Sequence, residues 1–218
     1  MKASCRILLA LSLPLSLALG NQAPVAHSFD EAPIGASPPG FTFGSMRQKA
    51  PGRWTVQKRD ADVFLYHERD ALTGFSLAIA DTKTTGDLAV TMRLRFVDGA
   101  RAGGLVWRYV DDNHYYTLIL DMAKGAIAVY RVSNGHRVLL EVEDDLELDS
   151  DAWHTLKVVH TDESVRAMLG GVRVFEDRDR TNRWSGGATR VGLIATGNSG
   201  VEFDDLRIAV LTTKPEGR

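Results

Sequence analysis

Cysteine is nearly absent from this 218-residue sequence, in which Cys5 is the only one. A single cysteine excludes an internal disulfide. Its position early in the chain also excludes the lipid anchor that requires a cysteine at the end of an export signal. The folded protein is therefore held together by buried apolar surface, and a chain of about 200 residues is long enough for one such domain.

Long apolar runs are absent apart from one at the N-terminus. Residues 7–19 are almost all apolar, follow Lys2 and Arg6, and lead into small residues that end at Gly20. This pattern is typical of a cleaved export signal, and the run is shorter than the roughly 20 apolar residues that span a bilayer. We expect residues 1–20 to be a signal peptide and the mature protein to be exported, either periplasmic or extracellular, and not embedded in a membrane.

Basic residues are not in excess. The chain has 26 Lys and Arg against 28 Asp and Glu, a formal net charge of −2, and the loss of Lys2 and Arg6 with the signal would make it more acidic. Because phosphate binding normally requires a concentrated basic surface, we expect no nucleic-acid partner. A neutral ligand would suit this charge balance equally well.

The motifs of several enzyme classes are also missing. The sequence has no glycine-rich phosphate loop ahead of a helix, no Gly-x-Ser-x-Gly elbow and no cysteine nucleophile. Its histidines lack the close spacing of a zinc helix; those considered are His114, His136, His154 and His160. Nucleotide, redox, zinc and serine or cysteine hydrolase chemistry are therefore poorly supported, and no catalytic residue is identified.

What the chain does contain, from Arg53 onward, is a series of short runs in which apolar and polar residues alternate. In the clearest, Leu88–Phe96, alternate apolar residues share one face while Arg93 and Arg95 point the other way. The pairs Asn134-Gly135 and Gly170-Gly171 suit two-residue hairpin turns, which need positive φ angles. The remaining runs are Trp54–Gln57, Val63–His67, Phe75–Ile79, Leu105–Val110, Tyr115–Asp121, Ile127–Val132, Arg137–Val142, Thr155–His160, Val165–Leu169, Val172–Glu176, Val191–Ala195 and Val201–Val210.

Roughly a dozen such strands predict an all-β antiparallel β-sandwich that forms a single domain. We expect this domain to cover residues 53–212 and to be followed by a disordered tail at residues 213–218. Residues 21–52 are rich in Pro, Gly and Ala, which makes them poor strand material, and they are expected to form an extended lead-in.

Several short motifs also follow one another in a characteristic order: Phe29-Asp30-Glu31 with Pro39-Gly40-Phe41, Gly52-Arg53-Trp54, Gly104 to Tyr109 with Asp111 and Tyr115-Tyr116, Val129 to Val132 before Asn134-Gly135, Trp153 to Leu156, Val191-Gly192-Leu193 and Phe203 to Leu206. This order resembles exported bacterial concanavalin A-like jelly rolls of the 3-keto-disaccharide hydrolase type, and is similar to laminin-G-like modules. The resemblance covers essentially the whole mature chain. It implies a jelly-roll fold and a glycoside hydrolase or lyase activity on 3-keto-glycosides. Members often carry Asn just before the Tyr-Tyr pair, where this chain has His114.

The hairpin from Gly103 to Tyr116 is the candidate ligand site, because it places aromatic, cationic and carboxylate side chains on two predicted strands joined by a polar turn. Such a sheet surface can stack on a sugar and hydrogen-bond to it. Strand alternation predicts that Trp107 and Tyr109 share one face and that Arg108 points to the other. The alternative is that both aromatics belong to the core and that Arg108 pairs with a carboxylate. The candidate ligand residues are Trp107, Arg108, Tyr109, Asp111, Asn113, His114, Tyr115, Arg131 and His154.

Two groups of carboxylates are candidates for a catalytic trio and for a calcium site. Glu143, Asp145 and Glu147 alternate like the catalytic trio of laminarinase-type glucanases, but the intervening Asp144 would have to be buried, which favours a solvated acidic connection. Asp30, Asp204 and Asp205 would suit a structural calcium ion if the chain ends lie together. The alternative for this second group is that Asp204 and Asp205 cap the strand through hydrogen bonds to nearby backbone.

The first hypothesis is an exported carbohydrate-binding module that holds a glycan on one sheet face, as a monomer and with no cofactor beyond the candidate calcium ion. The second is a glycoside hydrolase or lyase for 3-keto-glycosides, whose activated substrate would need only a modest base. The third is a non-catalytic, laminin-G-like sandwich that binds protein.

Overall fold

The computed structural model describes residues 24–47, 50–69, 74–97, 102–162, 164–177 and 187–211. These residues form β-strands and no helix, and the strands assemble into two antiparallel sheets packed as a sandwich. The predicted all-β antiparallel sandwich is therefore confirmed. The expected signal peptide and C-terminal tail lie outside the described residues. Within the described segments, no helix has the length and apolar character needed to cross a bilayer.

Sheet A contains eight strands in the order β13-β12-β11-β6-β15-β4-β3, with β1 also paired to β15. Their bounds are β1 Val25–His27, β3 Trp54–Arg59, β4 Asp62–His67, β6 Asp87–Val97, β11 His154–His160, β12 Val165–Leu169, β13 Val172–Asp177 and β15 Gly200–Leu211.

Sheet B contains seven strands in the order β10-β9-β8-β7-β14-β5-β2. Their bounds are β2 Phe41–Met46, β5 Phe75–Thr84, β7 Ala102–Asp111, β8 His114–Asp121, β9 Ala126–Ser133, β10 His136–Glu143 and β14 Thr189–Thr196. Every strand predicted from alternation is present. Both predicted glycine turns have positive φ at each of their two residues.

The main core lies between the two sheets. It is built from the alternation of strands such as β6, in which Leu88, Val90, Met92 and Leu94 are fully buried while Arg93 and Arg95 point away from the core. β6 pairs with β11 on one side and β15 on the other, so its apolar face is central in sheet A. Burial of this continuous apolar layer is the main stabilising contribution.

Strands β1 and β2 lie in the segment that the sequence analysis judged poor strand material, and for these residues that interpretation was wrong. Val25–His27 pairs with β15, and Phe41–Met46 pairs with β5 at the edge of sheet B. The prolines that suggested an irregular lead-in do not interrupt either strand, since Pro24 precedes β1 and Pro33, Pro38 and Pro39 lie between the two. Proline is tolerated beside a strand because it removes no ladder hydrogen bond there.

Sheet B is strongly curled. The hydroxyl group of Tyr115 on β8 lies 3.4 Å from the sulfur atom of Met46 on β2, although β7, β14 and β5 separate these strands in the sheet. Four inter-strand spacings in a flat sheet would place the two strands about 19 Å apart. The face of sheet B that points away from the main core is therefore concave and closes on itself.

Candidate functional site

The concave face of sheet B forms a second apolar cluster, separate from the core between the sheets. Leu77, Val106 and Ile194 are buried at its centre. Its other members are Met46, Ile79, Ala102, Tyr109, Tyr115, Ile119 and Val132, with Phe75 and Tyr130 packed against them. Most of this face is therefore filled by the protein's own side chains, and a ligand can enter only where a space remains.

A cavity of about 200 Å³ remains at one end of the concave face. The cavity exists because neighbouring strands present small side chains there. Ala102 on β7 and Ala126 on β9 both pair with Asp121 on β8, and Ala128 lies two residues further along β9 on the same face. The cavity has an apolar floor, aromatic side walls and a polar rim. Its lining residues are Phe75, Ala102, Ile119, Asp121, Lys124, Ala126, Ala128, Tyr130, Arg137, Val142 and Thr196.

Arg137 closes one side of this cavity. Its guanidinium carbon lies 4.1 Å from the centre of the Tyr130 ring and 4.8 Å from the centre of the Phe75 ring. Phe75 begins β5 and Arg137 follows the turn into β10, so these side chains meet only because the sheet is curled. Stacking on two rings holds the guanidinium in a defined position and contributes cation–π attraction.

The opposite end of the concave face is closed by polar contacts. The Tyr109 hydroxyl group donates a hydrogen bond of 2.7 Å to Asp112, and Asp112 also accepts one of 3.2 Å from the Ser45 backbone N–H. Arg190 lies over the Tyr109 ring and donates to Thr42. Burial, followed by the hydrogen bond to Asp112, raises the pKa of Tyr109, which therefore stays protonated as a donor. These contacts cover part of the concave face with the protein's own side chains.

Comparison with known proteins gives structural similarity at low sequence identity. No protein-family model matches the chain, and no curated protein matches it. The carbohydrate-binding module CBM66 from Bacillus subtilis is similar, with a TM-score of 0.63 at 16% identity over 78% of this chain and 95% of that one. A Bacillus subtilis protein of unknown function with a galectin-like fold has a TM-score of 0.56 at 13% identity, over 79% of this chain and 90% of that one.

The chain is also similar to domain 4 of AbnA, a GH43 extracellular arabinanase from Geobacillus stearothermophilus, in complex with arabinotriose. That TM-score is 0.55 at 14% identity, over 87% of this chain and 93% of that domain. The chain therefore has a two-sheet β-sandwich fold similar to that of these proteins. At these identities the comparisons show the fold, and the function has to be argued from the site.

The predicted shared face of Trp107 and Tyr109 is wrong. Arg108 adopts a φ of 52° and the register of β7 against β8 shifts between Trp107 and Asp111, which is a β-bulge. Three residues of β7 lie opposite one residue of β8 here, which breaks the alternation, so Trp107 points into the main core while Tyr109 lies on the concave face. The Trp107 ring is fully buried and its Nε1 donates a hydrogen bond to His160, so it cannot present a stacking surface to a ligand.

Arg108 is also buried and does not reach either open surface. It lies near Asp87 and Asp162, so the predicted alternative of an arginine beside carboxylates fits the structure better than a ligand role does. Burial lowers the pKa of Arg108, and the two carboxylates oppose that change. Burial and the nearby Arg108 charge lower the pKa of His160 to about 3, so His160 is neutral and can accept the bond from Trp107.

The other candidate residues on this hairpin divide between the turn and the concave face. Asp111 and Asn113 are exposed in the turn, and His114 bonds to Asp111 at 2.8 Å and to Asn134 at 3.1 Å, which links the β7–β8 and β9–β10 hairpins. Hydrogen bonds to Asp111 and Asn134 raise the pKa of His114. Tyr115 lies buried on the concave face.

Two further candidates lie away from the cavity lining. Arg131 is exposed on β9, and His154 at the start of β11 donates to the carbonyl group of Asp149 at the sandwich rim. The cavity instead uses residues that the sequence analysis did not select, namely Phe75, Asp121, Lys124, Tyr130 and Arg137. The sequence predicted the strand Ile127–Val132 that carries Tyr130, but no pattern showed that the sheet would curl around it.

The predicted calcium residues have other partners. Arg93 contacts Asp204 at 2.6 Å and Asp205 at 3.0 Å, and Asp205 also pairs with Arg207. Among the residues that the structure describes, no group of three or more His, Cys, Asp or Glu side chains comes together to hold a metal ion, so Asp30 does not complete such a site. The arginine contacts stabilise these carboxylates in place of an ion.

The acidic run does not form a trio on one strand face. β10 ends at Glu143, and Asp145 and Glu147 follow in an exposed connection. This agrees with the predicted solvated acidic connection.

A second arginine–aromatic cluster lies on the outer face of sheet A. The Trp153 ring lies 4.7 Å from the Arg93 guanidinium carbon and 4.8 Å from that of Arg95. Both arginines are paired with acidic side chains, Arg93 with Asp204 and Arg95 with the buried carboxylate of Glu202. Because each arginine is paired with a carboxylate, neither guanidinium is available to bind an anionic ligand.

Proposed function

We propose that this protein is an exported carbohydrate-binding module that holds a saccharide unit in the cavity on the concave face of sheet B. The observation that carries the proposal is the composition of the cavity, which combines an apolar floor and two aromatic walls with a rim of Asp121, Lys124 and Arg137. A sugar has an apolar C–H face and a polar edge of hydroxyl groups, so it matches this arrangement.

The rim offers both kinds of hydrogen-bonding group that sugar hydroxyls need. Asp121 accepts, and Lys124 and Arg137 donate, whereas the Thr196 hydroxyl group already bonds to the Ala102 carbonyl group and to Ser199. Lys124 lies 3.5 Å from Asp121, which orients both side chains before a ligand arrives. These groups sit on the strands and hairpins of one sheet, so little conformational entropy is lost on binding.

Similar structures support this proposal without defining its ligand. CBM66 is described as a carbohydrate-binding module, and the AbnA domain is described in complex with arabinotriose. The present chain shares their fold, and the cavity supplies the chemical basis for extending binding of saccharides to it.

Binding accounts for the cavity better than hydrolysis does. Among the described residues that line it, Asp121 is the one carboxylate, whereas most glycoside hydrolases use a pair of Asp or Glu side chains on either side of the bond that breaks. Assays of turnover on 3-keto-glycosides would nevertheless be included, because elimination from such an activated sugar needs only one base.

The proposal is tested by replacing the aromatic wall. We expect Tyr130→Ala to weaken oligosaccharide binding at least about tenfold, equivalent to about 1.4 kcal/mol, because it removes a stacking surface and a support of Arg137. Binding is measured by calorimetry with ligands selected on a glycan array.

The matched control is Tyr66→Ala, which changes a half-buried tyrosine on sheet A outside the cavity. We expect this control to bind like the wild type. Unchanged affinity in Tyr130→Ala, or the same loss of affinity in both variants, would show that the saccharide does not bind in the cavity.

A further inference from the structure

The cation at the mouth of the cavity has no acidic partner. Within the described part of the chain, the Arg137 side chain forms no ion pair and donates no hydrogen bond; it lies over the rings of Phe75 and Tyr130, and its charge also acts on the Tyr115 hydroxyl group. This distinguishes it from Arg93 and Arg95 on sheet A, which pair with Asp204 and Glu202. Because no carboxylate is paired with the Arg137 guanidinium, its charge is available for a ligand.

We infer that the saccharide held in this cavity is acidic and that its carboxylate binds the Arg137 guanidinium. This inference rests on the proposed function and specifies the class of sugar: one that carries a uronate or a similar carboxylate. The proposal assigns Arg137 as the residue that selects acidic over neutral sugars.

The geometry of the guanidinium suits this role. The Phe75 and Tyr130 rings lie within cation–π range of its carbon atom, at 4.8 and 4.1 Å. Those N–H donors form a planar fork that matches the two oxygens of a carboxylate. The aromatic contacts therefore fix the position of the cation while its donors stay available.

The charges around the cavity favour an anion. Lys124 is a second cation on the rim, and it lies close to Asp121, the carboxylate that lines the same cavity. The charge of Asp121 is thus offset by Lys124, which leaves that of Arg137 uncompensated. Attraction between opposite charges is stronger beside an apolar floor than in open water, because the effective dielectric constant is lower there.

The test compares oligogalacturonate with the same oligosaccharide after its carboxyl groups have been reduced to alcohols. We expect the wild-type protein to bind the acidic form at least tenfold more tightly. We expect Arg137→Gln to lower the affinity for the acidic form at least about tenfold more than that for the neutral form, so that the variant binds the two forms equally. Arg131→Gln, an exposed arginine on the neighbouring strand, serves as the matched control and should keep the preference.

Equal binding of the two forms by the wild type, or a preference that survives in Arg137→Gln, would overturn the acidic-ligand inference and leave the carbohydrate-binding proposal standing. Absence of binding to either form and to the glycan array would overturn both. A sulfated oligosaccharide without carboxylates that binds more tightly than the uronate would overturn the carboxylate assignment.

A second variant guards against a loss of folding in Arg137→Gln. Arg137→Lys keeps the charge but loses the planar fork, so we expect it to keep part of the preference and to bind the acidic form with an affinity between those of the wild type and Arg137→Gln. In the wild type, affinity for the acidic form alone should fall as salt concentration rises. The same salt dependence for both forms would contradict the inference.

Discussion

At the scale of single residues, Arg108 decides which side chains each face of sheet B receives. Its φ of 52° is unusual for a residue other than glycine and costs of order 1 kcal/mol. The bulge that it forms sends Trp107 into the main core and Tyr109 to the concave face. A single residue in a left-handed conformation therefore separates two aromatic side chains that strict alternation would have placed together.

His160 makes the stability of the core depend on pH. The pKa of His160 in the folded protein is about 3, below the usual value of 6.5, so protonation favours the unfolded chain. The stabilisation is complete above about pH 6.5 and is lost as the pH falls toward 3. We expect the free energy of unfolding to decrease from pH 7.5 to pH 5, and His160→Gln to show a smaller decrease because it removes this titration.

The measurement is urea unfolding of both proteins at the two pH values. His114 acts in the opposite direction, because its raised pKa contributes stability that is lost as pH rises, and it is present in both proteins. Equal pH dependence in the wild type and the variant would contradict the role given to His160.

At the scale of elements, the curl of sheet B depends on a contact between the β7–β8 turn and the edge strand β2. A Cβ atom at Gly44 would collide with the Asp112 carboxylate, which is held by the Tyr109 hydroxyl group and the Ser45 backbone N–H and would have to move. We expect Gly44→Ala to lower the free energy of unfolding by roughly 1–3 kcal/mol, as overpacking does.

A double-mutant cycle tests whether this loss comes from that contact. Asp112→Ala removes the colliding carboxylate, so Gly44→Ala should cost much less in its presence, with a coupling energy of roughly 0.5–3 kcal/mol in denaturant unfolding. Additive effects of the two substitutions would show that Gly44 and Asp112 do not constrain each other.

The strands themselves were largely predictable. Leu88–Phe96 and the other alternating runs form strands because period-two patterns match the pleat of a half-buried sheet. Two strands were missed, β1 at Val25–His27 and β2 at Phe41–Met46. The prolines beside them made the segment look unsuitable for strands, and β2 lies at a sheet edge. The curl was not predictable, because it depends on contacts between residues far apart in the chain, such as Phe75 with Arg137.

At the scale of the whole molecule, the proposed ligand binding would stabilise the fold through the cavity. Its lining comes from strands at both ends of the curl, including β5 with Phe75 and β10 with Arg137 and Val142. Oligogalacturonate at one hundred times its Kd should raise the free energy of unfolding by about 2.7 kcal/mol, which corresponds to a Tm increase of roughly 5–10 °C. Differential scanning calorimetry measures this increase.

At the same ligand concentration, Arg137→Gln should show little increase in Tm. An equal increase in the variant would place the binding surface elsewhere on the sandwich.

The candidate site shows where sequence reasoning reaches its limit. The sequence predicted an aromatic and arginine-bearing sheet surface, and Tyr109 and Tyr115 do lie on the concave face. The cavity nevertheless is lined by Tyr130 and Arg137, and not by Trp107 and Arg108. The fold class follows from local patterns, whereas the location of a cavity depends on how a whole sheet bends.

Sheet B carries apolar side chains on both of its faces, with Leu105 on one and Val106 on the other. A strand that slipped by one residue past its neighbour would still bury apolar groups, so alternation alone does little to prevent such slippage. Alignment of β7 must then come from features that occur once along the strand, of which the Arg108 bulge is one. The bulge fixes the register of β7 against its neighbours, and a variant in which β7 is regular would lose this constraint.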